Sequence, residues 1–485
     1  MKDSEREILY KVRDAAFANP FDHKRWVIDL AITGLSPQDP VKKVGAQLLE
    51  KVTQTTNAVT ARNHKKQQQT NTEDSELLQF GILFRVFHEF CDEFDNHITA
   101  QIKAGDECCP VEFANDALAT LLKNAIPEQE AIRFFSLFFQ MRRAFFFINM
   151  IAGKSECVMA LRCSLWNNIF TNDIKLYDQF LWNRMDDFST MILGETGTGK
   201  GMAAAAIGRS GYIPFDHAKG RFSESFSRAF TPINLSGYPE QLIESELFGH
   251  RKGAFTGAVE THKGVFSLCS PCGAIFLDEI GDVTVPTQIK LLQVLQERTF
   301  TPVGSHKAET FQGRVIAATN RSMEKILNEG QFREDFYYRL CSDVIHVPSL
   351  RQRLEENPEE LMEILQFTVR RILGTRSPQI VKKIRKYIDD NQPTGYGWPG
   401  NIRELEQCVR RILLNNNYQW QKSKTKTAME CFFHEIENGE LSGAQLLSHY
   451  CSHLYRQLGT YEAVSQRTEL DRRTVKKYIT AQTSD

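Results

Sequence analysis

A chain of 485 residues is too long for one hydrophobic core, and about three domains are expected. Its 41% hydrophobic and 25% charged residues are ordinary for a soluble globular protein, and a net charge of −1 excludes a uniformly basic nucleic-acid coat. Eleven scattered cysteines without a disulfide-like framework, and a polar opening (Met1-Lys2-Asp3-Ser4-Glu5-Arg6) with no apolar stretch behind it, make a reducing cytoplasm the expected setting.

Residues 1–152 read as helical and carry no motif of known chemistry. The polar stretch Asn63–Glu76 within them is expected to be a loop or linker. The Phe-rich segment Ile132–Ala152 is interrupted by Gln140, Arg142 and Arg143, whereas a membrane span wants about 20 apolar residues in a row. It is expected to be a buried helix or a face that docks on the rest of the chain. Composition changes near Gly153. Thr190–Leu193, Ile275–Leu277 and Val315–Ala318 are then short, apolar, turn-bounded runs alternating with helical patterns, which predicts an α/β domain with a parallel sheet. Cys269 and Cys272 form a C-x-x-C, but no second pair stands at zinc-ligand spacing, so they are expected to be buried thiols near a strand. From Pro348 to Tyr418 the pattern is helical, and after the polar stretch Gln419–Thr427 a helical tail follows. The expected domains are therefore 1–152, 153–347, 348–420 and 421–485.

Gly194-Glu195-Thr196-Gly197-Thr198-Gly199-Lys200 follows the apolar run Met191–Leu193 and precedes the strong helix former Met202–Ile207. Strand, glycine-rich loop, lysine and helix are the context of a phosphate-binding loop. Its amides and the helix N-terminus can cradle phosphates, and Lys200 neutralises the β and γ charge of ATP. Gly201 stands where a Ser or Thr hydroxyl commonly holds Mg²⁺. About 80 residues on, the apolar run Ala274–Leu277 ends in Asp278-Glu279. Asp278 is placed to hold Mg²⁺, and Glu279 to polarise an attacking water as general base.

Between these two elements lies Gly253-Ala254-Phe255-Thr256-Gly257-Ala258, a flexible frame that offers one apolar and one polar handle. This hexamer resembles the loop with which bacterial enhancer-binding proteins grip the sigma-54 factor of RNA polymerase. The resemblance extends from about Gly153 to Asn417 through Glu244–His250, Gly264–Phe266, Gln288–Glu297, Ala317–Asn320, Phe332–Leu340 and Trp398–Leu405. Over this length the chain resembles the AAA+ domain of sigma-54-dependent transcriptional activators. The resemblance implies a P-loop parallel-sheet ATPase domain with a helical lid. Thr319 and Asn320 would sense the γ-phosphate, and Asn234 would relay that state through Glu279. Arg333 and Arg339 would be arginine fingers reaching a neighbouring subunit's site, and Arg403 would contact nucleotide from within its own subunit. It also implies a hexameric ring, a second pore loop near Val303–Lys307, and remodelling of the sigma-54 closed complex by movement of Phe255 and Thr256. The family often has an acidic residue where this chain has Gly201.

The tail from Gly459 to Ile479 looks like a helix-turn-helix of the Fis-like kind. Ala463, Val464, Leu470, Thr474, Val475 and Tyr478 suit its packing, while Arg472, Arg473, Lys476 and Lys477 form a basic outer face for upstream DNA. No phosphoacceptor receiver pattern occupies the N-terminal residues. Two other readings stay open at this point: a DNA-binding regulator with a silent ATPase, and a remodeller of a different target.

Overall fold

The computed structural model describes residues 1–66, 72–420 and 441–481, together with 436 and 439. They fall into two compact units, residues 1–391 with 398–417, and residues 392–397 with 418–485.

A five-stranded sheet organises the first unit. The chain's strands are β1 (Thr190–Leu193), β2 (Phe215–Asp216), β3 (Arg221–Phe222), β4 (Phe230–Asn234), β5 (Ala274–Asp278), β6 (Thr299–Phe300), β7 (Glu309–Thr310), β8 (Arg314–Thr319) and β9 (Asp343–His346). The central sheet runs β4-β5-β8-β1-β9 with every neighbour parallel, while β2-β3 and β6-β7 are small ribbons. Strand residues alternate between two cores, as the pleat requires. Ile192, Phe276 and Ile316 face one core, and Met191, Ile275 and Val315 face the other. Both faces are covered, which is why the central strands read as unbroken apolar runs. The strands end within one residue of register on Leu193, Asn234, Asp278, Thr319 and His346, Asp278 pairing with Ala318. A parallel sheet offers its binding crevice at that edge.

The N-terminal residues are helical, as expected, and they share a core with the sheet. Phe135, Phe139 and Phe147 of the helix Glu128–Asn149 join Ala203 and Ile207 of the helix Lys200–Gly208, Phe222, and Phe276 of β5 in one buried cluster. Rings of Phe139 and Phe222 stack at 3.8 Å between centroids, and Phe135 meets Phe215 edge-on at 4.9 Å. The interruptions of the Phe-rich segment have partners here. Arg143 is fully buried and donates to the Arg209 and Gly211 carbonyls at 2.6 Å each. Gln140 donates to the Ser210 carbonyl at 2.9 Å and to Tyr177 Oη at 2.7 Å. These side chains satisfy backbone acceptors at the C-terminal end of the helix Lys200–Gly208 that would otherwise be orphaned. The Phe-rich helix is therefore both core and docking face.

The stretch Asn63–Glu76 departs from its expected loop. The helix Val41–Lys66 runs into it and the helix Thr72–Glu89 takes up its end, while 67–71 lie outside the described residues. Lys, Gln and Glu are good helix formers, so polarity alone does not make a loop. Of Gln419–Thr427, residues 421 onward also lie outside the described residues. Among the described residues no helix is long and apolar enough to cross a membrane.

His97 sits in the shared core, edge-on to Phe139 at 5.4 Å and near Phe222 and Arg143. Burial pushes its pKa down to about 4 from 6.5. The unfolded chain therefore takes up a proton as pH falls through about 6.5, and the folded chain does not until about 4. Stability is fully present above the higher value and is lost across that window, by up to about 2 kcal/mol at pH 5. Urea melts at pH 7 and pH 5 are expected to show this loss together with that of His88, whose pKa burial pushes down to about 3, and His97→Phe is expected to remove the His97 share. An unchanged pH slope in that variant would assign the loss elsewhere.

The second unit holds helices Gly443–Leu458, Tyr461–Thr468 and Arg472–Ala481 around Cys451, Leu454, Val464, Val475 and Ile479. Ser442 caps the first, accepting from Gln445 N at 3.3 Å, and Thr460 caps the second, accepting from Ala463 N at 3.3 Å.

Candidate functional site

The loop after β1 turns through two glycines at positive φ, Gly197 (80°) and Gly199 (106°), and delivers Lys200 as the first residue of the helix Lys200–Gly208. Lys200 is only 7% exposed, and its Nζ donates to the Gly194 and Glu195 carbonyls at 3.0 and 3.3 Å, closing the loop on itself. Burial holds its pKa below the ordinary lysine value, with Glu279 and Asp278 pulling the other way. At Gly201 the nearest atom to an added Cβ is Phe276 Cε1 at 4.0 Å. Space does not impose glycine there, so the missing Mg²⁺ hydroxyl is a choice of side chain alone.

Asp278 ends β5 and Glu279 follows it, opposite this loop. Burial raises the Asp278 pKa above its ordinary value, while Lys200 lowers it. Glu279 adopts left-handed φ, ψ of 57° and 47°, uncommon for this residue type. Its Oε2 accepts from the Asn320 backbone N–H at 3.2 Å, and Asn320 Nδ2 donates to Thr196 Oγ1 at 2.7 Å. Asn320 thus ties the glutamate to the phosphate-binding loop. Thr319 Oγ1 accepts from Arg321 N at 3.1 Å. Asn234 lies beside Asp278 in register, but its Oδ1 accepts from Ser236 N and Oγ at 3.0 and 2.8 Å. Among the described residues no hydrogen bond joins Asn234 to Glu279.

A cleft of about 200 Å³ gathers Lys200, Gly201, Asp278, Glu279 and Arg403. A narrower apolar recess of about 50 Å³ adjoins it, sharing Met202 and Ile402 and lined by Ile151, Leu161, Val347 and Ile364. Arg403 is exposed in the cleft, and its backbone N–H reaches the Gly197 carbonyl at 3.4 Å. Asn401, two residues earlier, does more than sequence reasoning assigned to it. It is fully buried at a left-handed φ of 51°, a region Asn tolerates. Its Nδ2 donates to Glu195 Oε2 and the Thr196 carbonyl at 3.0 and 3.1 Å, and its Oδ1 accepts from Leu350 N at 2.7 Å. The only sequence signal was its place after Gly400. Glu360 was missed altogether. It is fully buried, pairs with Arg353, and accepts from Lys154 N and Ser155 N at 2.9 and 2.6 Å, clamping the start of the α/β region onto the helices after β9.

The hexamer 253–258 forms a tight surface loop. Gly253 N donates to the Ala258 carbonyl at 2.8 Å and Ala258 N to the Phe255 carbonyl at 3.0 Å. Phe255 is 38% exposed and rests edge-on to His250 at 4.9 Å. Thr256 is exposed. The base of this loop is bonded to the stretch around Val303, through Arg251 N to the Val303 carbonyl at 3.0 Å and Val303 N to the Gly249 carbonyl at 2.9 Å.

Residues 174–346 match the family described as the Sigma-54 interaction domain. This part of the chain is similar to a sigma-54 interaction domain. The matched span ends on His346, the last residue of β9, and so takes in the whole sheet. Over 237 residues the chain is 41% identical to a Nif-specific regulatory protein of Azotobacter vinelandii, covering 49% of this chain and 42% of that protein. With the DNA-binding transcriptional regulator NtrC of Azospirillum brasilense it shares 42% over 228 residues, 47% of this chain and 43% of the other. With the transcriptional regulatory protein GlrR of Escherichia coli K12 the figures are 39% over 240 residues, 49% and 50%. The chain spans no more than half the length of these relatives. Among solved structures, NtrX from Brucella abortus is similar at 20% identity and a TM-score of 0.39, over 76% of this chain and 79% of that one. The sequence resemblance to sigma-54-dependent transcriptional activators therefore stands, on an α/β fold with a parallel sheet.

Within the matched span both candidate fingers are engaged by their own chain. Arg339 Nε and Nη2 donate to the Leu295 carbonyl at 3.0 and 2.8 Å, and Arg333 pairs with Asp335 at 2.6 Å. Outside that span, Arg472, Arg473, Lys476 and Lys477 are exposed, Arg472 pairing with Glu462 at 3.2 Å. Thr474 is half-buried beside the fully buried Val475.

Proposed function

We propose that this chain is an ATP-hydrolysing activator that remodels sigma-54 RNA polymerase. The observation that carries the proposal is the loop 253–258, which exposes Phe255 and Thr256 on a domain whose sheet edge gathers Lys200, Asp278, Glu279 and Asn320. The amides of Gly194–Gly201 would bind the phosphates, the apolar recess at Ile151 and Val347 would take the base, and Arg403 would reach the nucleotide from the 348–420 helices acting as a lid. Asp278 fits a Mg²⁺ site as a half-buried carboxylate beside the phosphate lysine, although Gly201 adds no oxygen. When bound, the ion neutralises charge on the β and γ oxygens. Glu279 holds the attacking water and accepts its proton, and Asn320 reports the γ-phosphate to Glu279 through its backbone N–H. Asn234 and Thr319 serve as the switch at the adjoining strand ends. Arg333 and Arg339 would leave their present partners to complete a neighbour's site, which requires a ring, a hexamer by family resemblance. The C-terminal helices act as a helix-turn-helix that holds upstream DNA through Arg472, Arg473, Thr474, Lys476 and Lys477.

Incubating the purified chain with sigma-54 and an ADP–metal-fluoride transition-state mimic is expected to yield a stable, nucleotide-dependent complex. Measurable ATPase activity without such a complex would move the target elsewhere. Thr256→Ala is expected to keep ATP turnover within about twofold, since an exposed surface substitution typically disturbs a fold by less than about 0.5 kcal/mol. Open-complex formation on a sigma-54 promoter is expected to be lost. Unchanged promoter opening in this variant would sink the loop assignment.

A further inference from the structure

The helices that follow β9 carry a basic face that the nucleotide cleft leaves free. Residues 364–388 hold seven Arg and Lys and no Asp or Glu. With 59 basic and 60 acidic residues in the whole chain, a stretch of that length would average about three of each. Two of the seven are neutralised locally, Arg371 by Glu406 and Arg385 by Asp389 at 2.9 Å. Arg370, Arg376, Lys382, Lys383 and Lys386 are exposed, and none of them has an ion-pair partner among the described residues.

The local fold gathers these five cations. The helix Glu360–Leu373 ends at Gly374, whose left-handed φ of 72° turns the chain. Arg376 sits in the turn, and the helix Pro378–Asn391 then packs against its predecessor. Val381, Ile384 and Ile388 of this second helix are buried. Lys382, Lys383 and Lys386 therefore stand on its outer side, three and four residues apart. Like charges at that spacing repel, and no acid is interleaved to relieve them. A polyanion laid across the face would do so.

Three observations select the kind of polyanion. No aromatic residue lies between 368 and 386, so the bases of a single strand find no ring to stack on. The apolar side of the basic helix is committed to the core, which leaves nothing to insert into a membrane surface. Lys382 and Lys386 lie about 6 Å apart along the helix axis, the scale on which phosphates repeat along a duplex. We propose that this face binds the phosphate backbone of duplex DNA, whatever its sequence. The contact is separate from the one proposed for Arg472, Arg473, Lys476 and Lys477, which belong to the other compact unit, and it does not rest on that reading. Each cation that meets a phosphate releases a condensed counterion, so the binding is steep in salt and carries no base readout.

Fluorescence anisotropy of the full chain on duplexes of about 30 base pairs, between about 50 and 200 mM salt, measures this contact. Lys382→Gln/Lys383→Gln/Lys386→Gln keeps good helix formers and disturbs no buried group. At an unchanged melting temperature, it is expected to flatten the slope of log affinity against log salt by at least about 2. Affinity at about 100 mM salt is expected to fall at least about tenfold, equally on unrelated duplex sequences. The matching triple change to arginine keeps the charges and is expected to keep the slope. Arg472→Gln/Arg473→Gln is expected to retain residual binding that the three glutamine changes then remove. An unchanged slope in the glutamine variant, or a loss confined to one sequence, would overturn the proposal. A variant that keeps its slope but no longer binds phosphatidylglycerol vesicles would overturn it in favour of a membrane. A kept slope with an altered oligomeric state would overturn it in favour of a contact between copies of the chain.

Discussion

Replacing Glu279 with glutamine is expected to lower ATP turnover by about three orders of magnitude while nucleotide affinity stays within about threefold. The size follows from the role, since a positioned general base contributes about 10²–10⁴ in rate, here about 4 kcal/mol of barrier. Glutamine keeps the shape and still offers an oxygen to the Asn320 backbone N–H, which accounts for retained geometry and binding. What it loses is the ability to take a proton from water. The backbone adds weight to this assignment. Glu279 holds a left-handed conformation that asparagine or glycine would adopt at lower cost, by about 1–3 kcal/mol. A chain that keeps glutamate there has given up some stability for a carboxylate at that point. The check is steady-state ATPase kinetics beside nucleotide titration on the same preparation. Turnover within tenfold of the parent chain would remove Glu279 from the role of base and leave its strained backbone without a functional account.

How much of this was legible in the sequence depended on whether the signal was local. The run Thr190–Leu193 is the observed β1, and β5 and β8 extend the expected runs by one residue at each end. All three are interior strands, buried on both faces, and such strands announce themselves as short apolar runs. The strands β4 and β9 sit at the sheet edges and were not picked out. Their sequences carry Pro232 in one and Asp343 with His346 in the other, residues that an edge accepts and a central strand does not. The phosphate loop, Asp278, Glu279 and Asn320 do converge, because a parallel sheet ends its strands on one side. Asn401 and Glu360 escaped because their partners stand about 200 residues away, at Glu195 and Lys154. Nothing within a window of sequence marks such a pair. The same reason hid the meaning of Arg143. Its charge was legible as an argument against a membrane span, while the carbonyls that hold it lie just past the end of another helix.

Deleting residues 1–152, together with 421–485, is expected to leave a fragment, 153–420, that does not fold. A sensory domain joined by a linker could be removed without harm, but these helices form one compact unit with the sheet. Their loss uncovers Ile207, Phe215, Phe222 and Phe226, all less than 6% exposed in the intact chain. Burial of such side chains contributes about 1.5–3 kcal/mol each, so exposing these four forfeits roughly 6–12 kcal/mol. That is the size of a domain's whole stability, about 5–15 kcal/mol. The deletion also orphans the Arg209, Ser210 and Gly211 carbonyls at the end of the phosphate-loop helix, which Arg143 and Gln140 now satisfy. Near-UV circular dichroism and dye binding on the expressed fragment are expected to show lost tertiary packing and exposed apolar surface. Arg143→Met probes the same joint in the full chain, where loss of the buried cation is expected to destabilise by about 3 kcal/mol or more. A soluble fragment that melts cooperatively and hydrolyses ATP at the full chain's rate would mean that the shared core is dispensable. The N-terminal helices would then be a cover on the motor and not part of its frame.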